Sequence, residues 1–168
     1  MKTPPRIAHG QAGVMLLEAL IAILIFSLGV LSLVALQATS IKLAGDAKYR
    51  TDATLLANRL LGQMWVSGGD LATLKTNFES AGPGAAYTTW LGDVSGTEGL
   101  PGVVAASTGV VSTLPVVNVT LGPNSCGTAA VPRAAQVTIQ LSWRTPEMPL
   151  DQAGHQYTVV SEIARNCP

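Results

Sequence analysis

The chain has 168 residues, 48% of them hydrophobic and only 12% charged, with ten basic side chains balancing ten acidic ones. That length suits one modest domain plus an accessory segment rather than two domains. Zero net charge and the lack of any dense basic stretch argue against a nucleic-acid partner.

Residues 1–13, MKTPPRIAHGQAG, are polar and carry Lys2 and Arg6. Pro4 and Pro5 oppose a helix running unbroken from this segment into the next one. From Val14 to Leu36 only Glu18, Ser27, Gly29 and Ser32 interrupt a run of apolar side chains. At about 1.5 Å of rise per residue, a helix over this run spans roughly 30 Å of hydrocarbon. An ordinary secretory signal has a shorter apolar core, of about 7–15 residues, with its cut after that core. Here the run is longer, and Gly13 lies before it. A cut at that point retains the anchor and removes Lys2 and Arg6, leaving 8 basic against 10 acidic side chains. The positive leader holds the N-terminus in the cytoplasm, and the remainder is exported. Glu18 does not suit a plain anchor. A carboxylate inside an apolar span costs on the order of 2.5–3.5 kcal/mol at mid-membrane and less near an end. A new amino terminus at Val14 would give it a partner, because Val14 and Glu18 stand at i and i+4 on one helix face.

A short basic leader ending in glycine, a glutamate five positions into the mature chain and an unbroken apolar helix resemble the class III signal of type IV pilins and type II secretion pseudopilins. The wording MLLEALIAILIFSLGVLSLVALQ is most similar to minor pilins of the PilV kind, over about residues 10–40. Two departures stand out. Val14 occupies a position where the family usually carries phenylalanine, and the membrane half lacks the proline of many major pilins. The resemblance implies cleavage between Gly13 and Val14 by a prepilin peptidase, N-methylation of Val14, and use of Glu18 to set the register of subunits. It also implies an α+β, type IV pilin-like fold, with a long N-terminal helix packed on a small antiparallel sheet. Its expected partners are other minor and major pilins, an inner-membrane assembly platform and a tip adhesin.

After Leu36 polar residues alternate with apolar ones, and no proline occurs between Val14 and Trp65. Leu56, Leu60 and Met64 recur at i, i+4 and i+8, with Ala53, Leu61 and Trp65 beside them. This predicts a continuous helix, apolar all round over 14–36 and amphipathic over 37–66, ended by Ser67-Gly68-Gly69. Residues 67–168 are then the exported domain. A short helix is expected from Asp70 to Phe78, with Asp70 as its cap. The stretch AGPGAAYTTWLGDVSGTEGLPG reads as loop with short extended pieces, with Tyr87, Trp90 and Leu91 read as anchors buried beneath it ahead of the alternative, contacts with another subunit. Period-two alternation predicts strands around 116–121, 137–143 and 157–163, in a meander of three or four antiparallel strands covered by the helix.

Two cysteines, Cys126 and Cys167, allow a single pairing, and an exported domain favours its oxidation. The closed loop of about 40 residues gives on the order of 4 kcal/mol in the chain-entropy account. Pilins commonly carry such a C-terminal loop. His9 and His155 form no metal-ligand pattern with the cysteines, and no cofactor motif is present. Asn118-Val119-Thr120 reads as ordinary strand surface. Asp93, Glu98, Glu147 and Asp151 read as solvated loop residues, so no enzyme is expected. The expectation is a minor pilin of the inner membrane, cytoplasmic at its N-terminus and periplasmic at its C-terminus. The alternatives are a minor pseudopilin of a type II secretion system and an unprocessed, membrane-tethered periplasmic binding domain.

Overall fold

The computed structural model describes residues 12–126 and 129–166, with the side chains of 14–123 and 131–166 among them. It divides between Asp46 and Ala47 into two units. The helix α1, Ala12–Val66, runs through both and is unbroken at Gly29 and Gly45. Ala12 and Gly13, ahead of the expected start at Val14, are already helical.

Within the first unit, the side chains from Val14 to Leu36 are all exposed. α1 contains a window of mean hydropathy 2.8, none of it buried, and is long and apolar enough to cross a membrane. Its serines do not leave polar groups open to an apolar medium. Ser27 Oγ donates to Leu24 O and Ser32 Oγ to Leu28 O, both at 2.9 Å, so each hydroxyl is satisfied within the helix.

In the second unit α1 presents one buried face, and the rest of the domain packs onto it. That face is Ala53, Ala57, Leu60 and Met64, at i, i+4, i+7 and i+11. It is rotated from the expected stripe. Leu56 and Leu61 are only partly buried, and Trp65 is 51% exposed. The alanines explain the rotation, since their small side chains let neighbouring elements approach the α1 backbone.

α2, Leu71–Phe78, forms as expected, with Leu71, Leu74 and Phe78 buried and Asp70 capping through Thr73 N at 2.8 Å. The loop expected after it contains a third helix, α3, Ala85–Ser95. Gly84 starts it in extended backbone, and Tyr87, Trp90 and Val94 give it a buried stripe at i, i+3 and i+7. Thr88, Thr89 and Ser95 look like loop residues, but each donates its hydroxyl to the carbonyl four positions back. Tyr87 and Trp90 are therefore buried as helix residues and not beneath a loop, and Leu91 is partly buried. Trp90 Nε1 donates to Leu56 O at 3.0 Å, tying α3 to α1. Tyr87 Oη donates to Pro115 O at 2.7 Å, and burial pushes its phenol above the usual value. Asp93 also belongs to α3 rather than to a solvated loop. It pairs with Arg59 at 3.1 Å across exposed side chains, a contact worth little.

The sheet has three antiparallel strands, β1 (Val116–Leu121), β4 (Ala134–Trp143) and β5 (His155–Ala164), with β4 in the centre. The expected turn between the first two holds a separate two-stranded hairpin, β2 (Asn124–Cys126) and β3 (Ala129–Pro132). Val117, Val119, Val137, Ile139, Leu141 and Trp143 point into the core with the alternation expected of them. β5 is less covered, and only Ile163 of its residues is fully buried.

Two arginines finish the domain through backbone carbonyls. Arg144, 2% exposed, donates its guanidinium to Val111 O and Gln152 O, while its backbone N–H takes Pro101 O. It thereby gathers three loop segments at one end of the sheet. Gly102 lies against it with a φ of +62°, where a Cβ would meet Arg144 Cβ at 2.9 Å, so only glycine fits there. Arg165 serves the end of α1, whose last turn has no basic residue of its own. Its Nη2 donates to Met64 O at 2.7 Å and Ser67 O at 2.6 Å, and its Nη1 to Trp65 O at 3.3 Å. These carbonyls have no partner within the helix, and a cation is favoured at that end.

Arg165→Ala leaves the closing carbonyls of α1 without that donor. It is expected to destabilise the domain by roughly 1–3 kcal/mol, seen as a lower melting temperature with faster amide exchange over 63–67. The Asp70 cap makes a pH prediction. Hydrogen bonds from Thr73, from its side chain and then its backbone N–H, hold the carboxyl below the ordinary value of 3.8. A lowered folded pKa means the contribution is complete above 3.8 and is lost as pH falls through the folded value. Asp70→Ala should therefore melt earlier than wild type at neutral pH, and the two melting curves should converge in acid below 3.8.

Candidate functional site

The candidate site lies at the start of α1. The Gly13–Val14 bond lies in α1, at the start of its described residues. Val14 is 63% exposed.

Val14, Leu17, Glu18, Ile21, Ala22 and Ile25 line one open groove of ≈ 410 Å³ along the helix. The spacing i, i+3, i+4, i+7, i+8 and i+11 is one helical face, so Val14 and Glu18 do share a face, one turn apart. Glu18 is exposed in the middle of this apolar face. Its situation differs from that of Ser27 and Ser32, which spend their hydroxyls on the helix itself. Among the described residues no hydrogen bond or ion pair reaches the Glu18 carboxylate. Such a group in an apolar medium is expensive unless a cation or a donor comes to it. A chain shortened to Val14 would carry an ammonium at the head of the same face.

Lys2 and Arg6 of the leader lie outside the described residues, as does the expected Cys126–Cys167 bridge. The described C-terminal segment is held by Arg165, through its side chain on α1 and its backbone N–H on Arg133 O at 2.8 Å. Sequence reasoning missed this residue, since its partners are carbonyls about a hundred positions away and a carbonyl leaves no trace in residue type.

In the second unit, Lys48, Tyr49 and Asp52 of α1 and residues 96–101 line a polar cleft of ≈ 430 Å³. Its charged groups are Lys48, Asp52 and Glu98, of mixed sign. Among the described residues no group of three or more His, Cys, Asp or Glu side chains is placed to hold a metal ion. His155 stacks on Trp143, with ring centroids 5.8 Å apart, at the end of the β4–β5 pair that the 144–154 loop connects.

No protein-family model, no curated protein and no solved structure matches this chain.

Proposed function

We propose that this chain is a minor pilin, a structural subunit of a type IV pilus, made as a precursor and matured at the inner membrane. The observation that carries the reading is Glu18. It is an ionisable side chain in an otherwise apolar span, on the same face as Val14 and one turn from it, with no partner among the described residues. Cleavage between Gly13 and Val14 removes the two leader cations and creates one cation at the end of that face. Methylation of the Val14 amine keeps the charge and adds apolar surface. In an apolar surrounding an ammonium and a carboxylate attract far more strongly than in water.

Within one subunit the pair is local and helps α1 sit in the bilayer. Between subunits the amine of an incoming chain meets Glu18 of its neighbour, and the offset between two helices is thereby set to a definite step. The exposed apolar half of α1 supplies the remaining contact in the membrane and then in the filament core. The domain from residue 67 onwards, with its sheet and loops, gives lateral specificity toward other minor and major pilins and a tip adhesin. On this reading the protein is no enzyme, and the chemistry is done to it by a prepilin peptidase. It is a single-pass inner-membrane protein, cytoplasmic at the N-terminus and periplasmic at the C-terminus, until assembly draws it into the filament or its tip.

Intact mass and N-terminal sequencing of the protein from membranes, with and without the host's prepilin peptidase, test this reading. The expected product starts at N-methylated Val14 and depends on the peptidase. A chain that keeps Lys2 and Arg6 in a peptidase-competent host overturns the proposal.

A further inference from the structure

Three glycines inside α1 weaken the helix without making room for a neighbour. A Cβ at Gly29, Gly45 or Gly62 would meet nothing within 4 Å, so alanine fits at each of them. Glycine in a helix interior is nonetheless markedly less favourable than alanine. Two of the three stand where α1 has other support. Gly29 lies in the apolar run, and an apolar medium penalises any broken backbone hydrogen bond there. Gly62 lies between Leu60 and Met64, both fully buried in the core. Gly45 has neither kind of support.

The apolar run ends at Leu36, and the first fully buried residue of α1 is Ala53, with Tyr49 partly buried before it. Of residues 37–48, every one but Gly45 is exposed. This stretch, QATSIKLAGDAK, is held as helix chiefly by its own backbone hydrogen bonds, and a helix of about 12–15 residues without packing is marginal in water. Thr39, Ser40, Ile41, Gly45 and Asp46 are all weaker helix formers than alanine or leucine. Thr39 Oγ1 donates to Ala35 O at 3.1 Å and Ser40 Oγ to Leu36 O at 3.0 Å, contacts that slightly destabilise a helix. The boundary between the two units, Asp46 to Ala47, falls one residue beyond Gly45.

We propose that residues 37–48 form a joint in α1, where the helix opens locally around Gly45 while the parts on either side stay folded. Opening there breaks the bonds from the amides of 45–49 to the carbonyls of 41–45. Water meets those groups at once, because the side chains around them are already solvated. The same opening at Gly62 would pull Leu60 or Met64 out of the core, and so belongs to unfolding of the domain. With the joint open, the direction of the second unit no longer follows that of the apolar run. Glycine at 45 is what keeps this opening frequent, since nothing else at that position requires it. The inference is independent of the filament reading, because it requires neither processing at Val14 nor the charge of Glu18.

The test is amide hydrogen exchange of the full-length protein in detergent, read by mass spectrometry and corrected for intrinsic rates. In wild type the amides of 41–49 are expected to exchange at least about 100-fold faster than those of 53–64. Gly45→Ala is expected to slow exchange over 41–49 by about five-fold and to leave the melting temperature of the domain unchanged. Gly62→Ala, in the packed part of the same helix, is expected to raise that melting temperature and to leave exchange over 41–49 as in wild type. Exchange over 41–49 as slow as over 53–64 overturns the proposal. A Gly45→Ala protein with unchanged local exchange also overturns it. So does a Gly45→Ala protein whose domain melts as much later as that of Gly62→Ala, because residues 37–48 would then unfold with the domain and not apart from it.

Discussion

The buried face of α1 in the second unit is the constraint on which the globular domain depends. Ala53, Ala57, Leu60 and Met64 meet residues from both short helices and from all three strands of the main sheet in one core. A three-stranded sheet of this size has little independent stability, because its apolar face needs a cover. α1, α2 and α3 provide that cover. The polar groups left at the margins are then met by specific donors. Trp90 reaches the carbonyl of Leu56, Arg165 reaches the last carbonyls of α1, and Arg144 holds the loops at one end of the sheet. Each of these bonds secures a place where regular hydrogen bonding stops.

The same helix obeys a different rule in the first unit, where every side chain from Val14 to Leu36 is exposed and nearly all are apolar. Packing inside the chain does not cover such a segment, and its length and apolar character are those of a helix able to cross a membrane. Its serines are consistent with an apolar medium, since their hydroxyls are turned back onto the helix. Glu18 is the exception. The chemistry of that exception, and not the shape of the domain, carries the proposed function.

Much of the architecture was legible in residue pattern. Lack of proline from Val14 to Trp65 marked α1, and alternation at 117/119 and 137/139/141/143 marked two strands and their buried faces. Asp70 with Leu71, Leu74 and Phe78 marked α2. What escaped had physical reasons. α3 was hidden by threonine and glycine, although Tyr87, Trp90 and Val94 carry the helical period. The α1 stripe was drawn through large residues, and its two alanines, which set the close packing, were underweighted. Arg144 and Arg165 act on carbonyls distant in sequence, so no spacing could reveal them. At the candidate site the i, i+4 relation of Val14 and Glu18 was legible, because a helix turns every 3.6 residues.

The charge of Glu18 separates a register device from an incidental polar residue. Glu18→Gln retains the size and hydrogen-bonding capacity of the side chain and removes its charge. The most direct measurement is the amount of this variant recovered in sheared filaments, relative to wild type, in a piliated host that still cleaves it. If Glu18 sets subunit register through the Val14 amine, the variant accumulates in the membrane as mature chain and is largely missing from filaments. Incorporation of Glu18→Gln at the wild-type level would contradict that role.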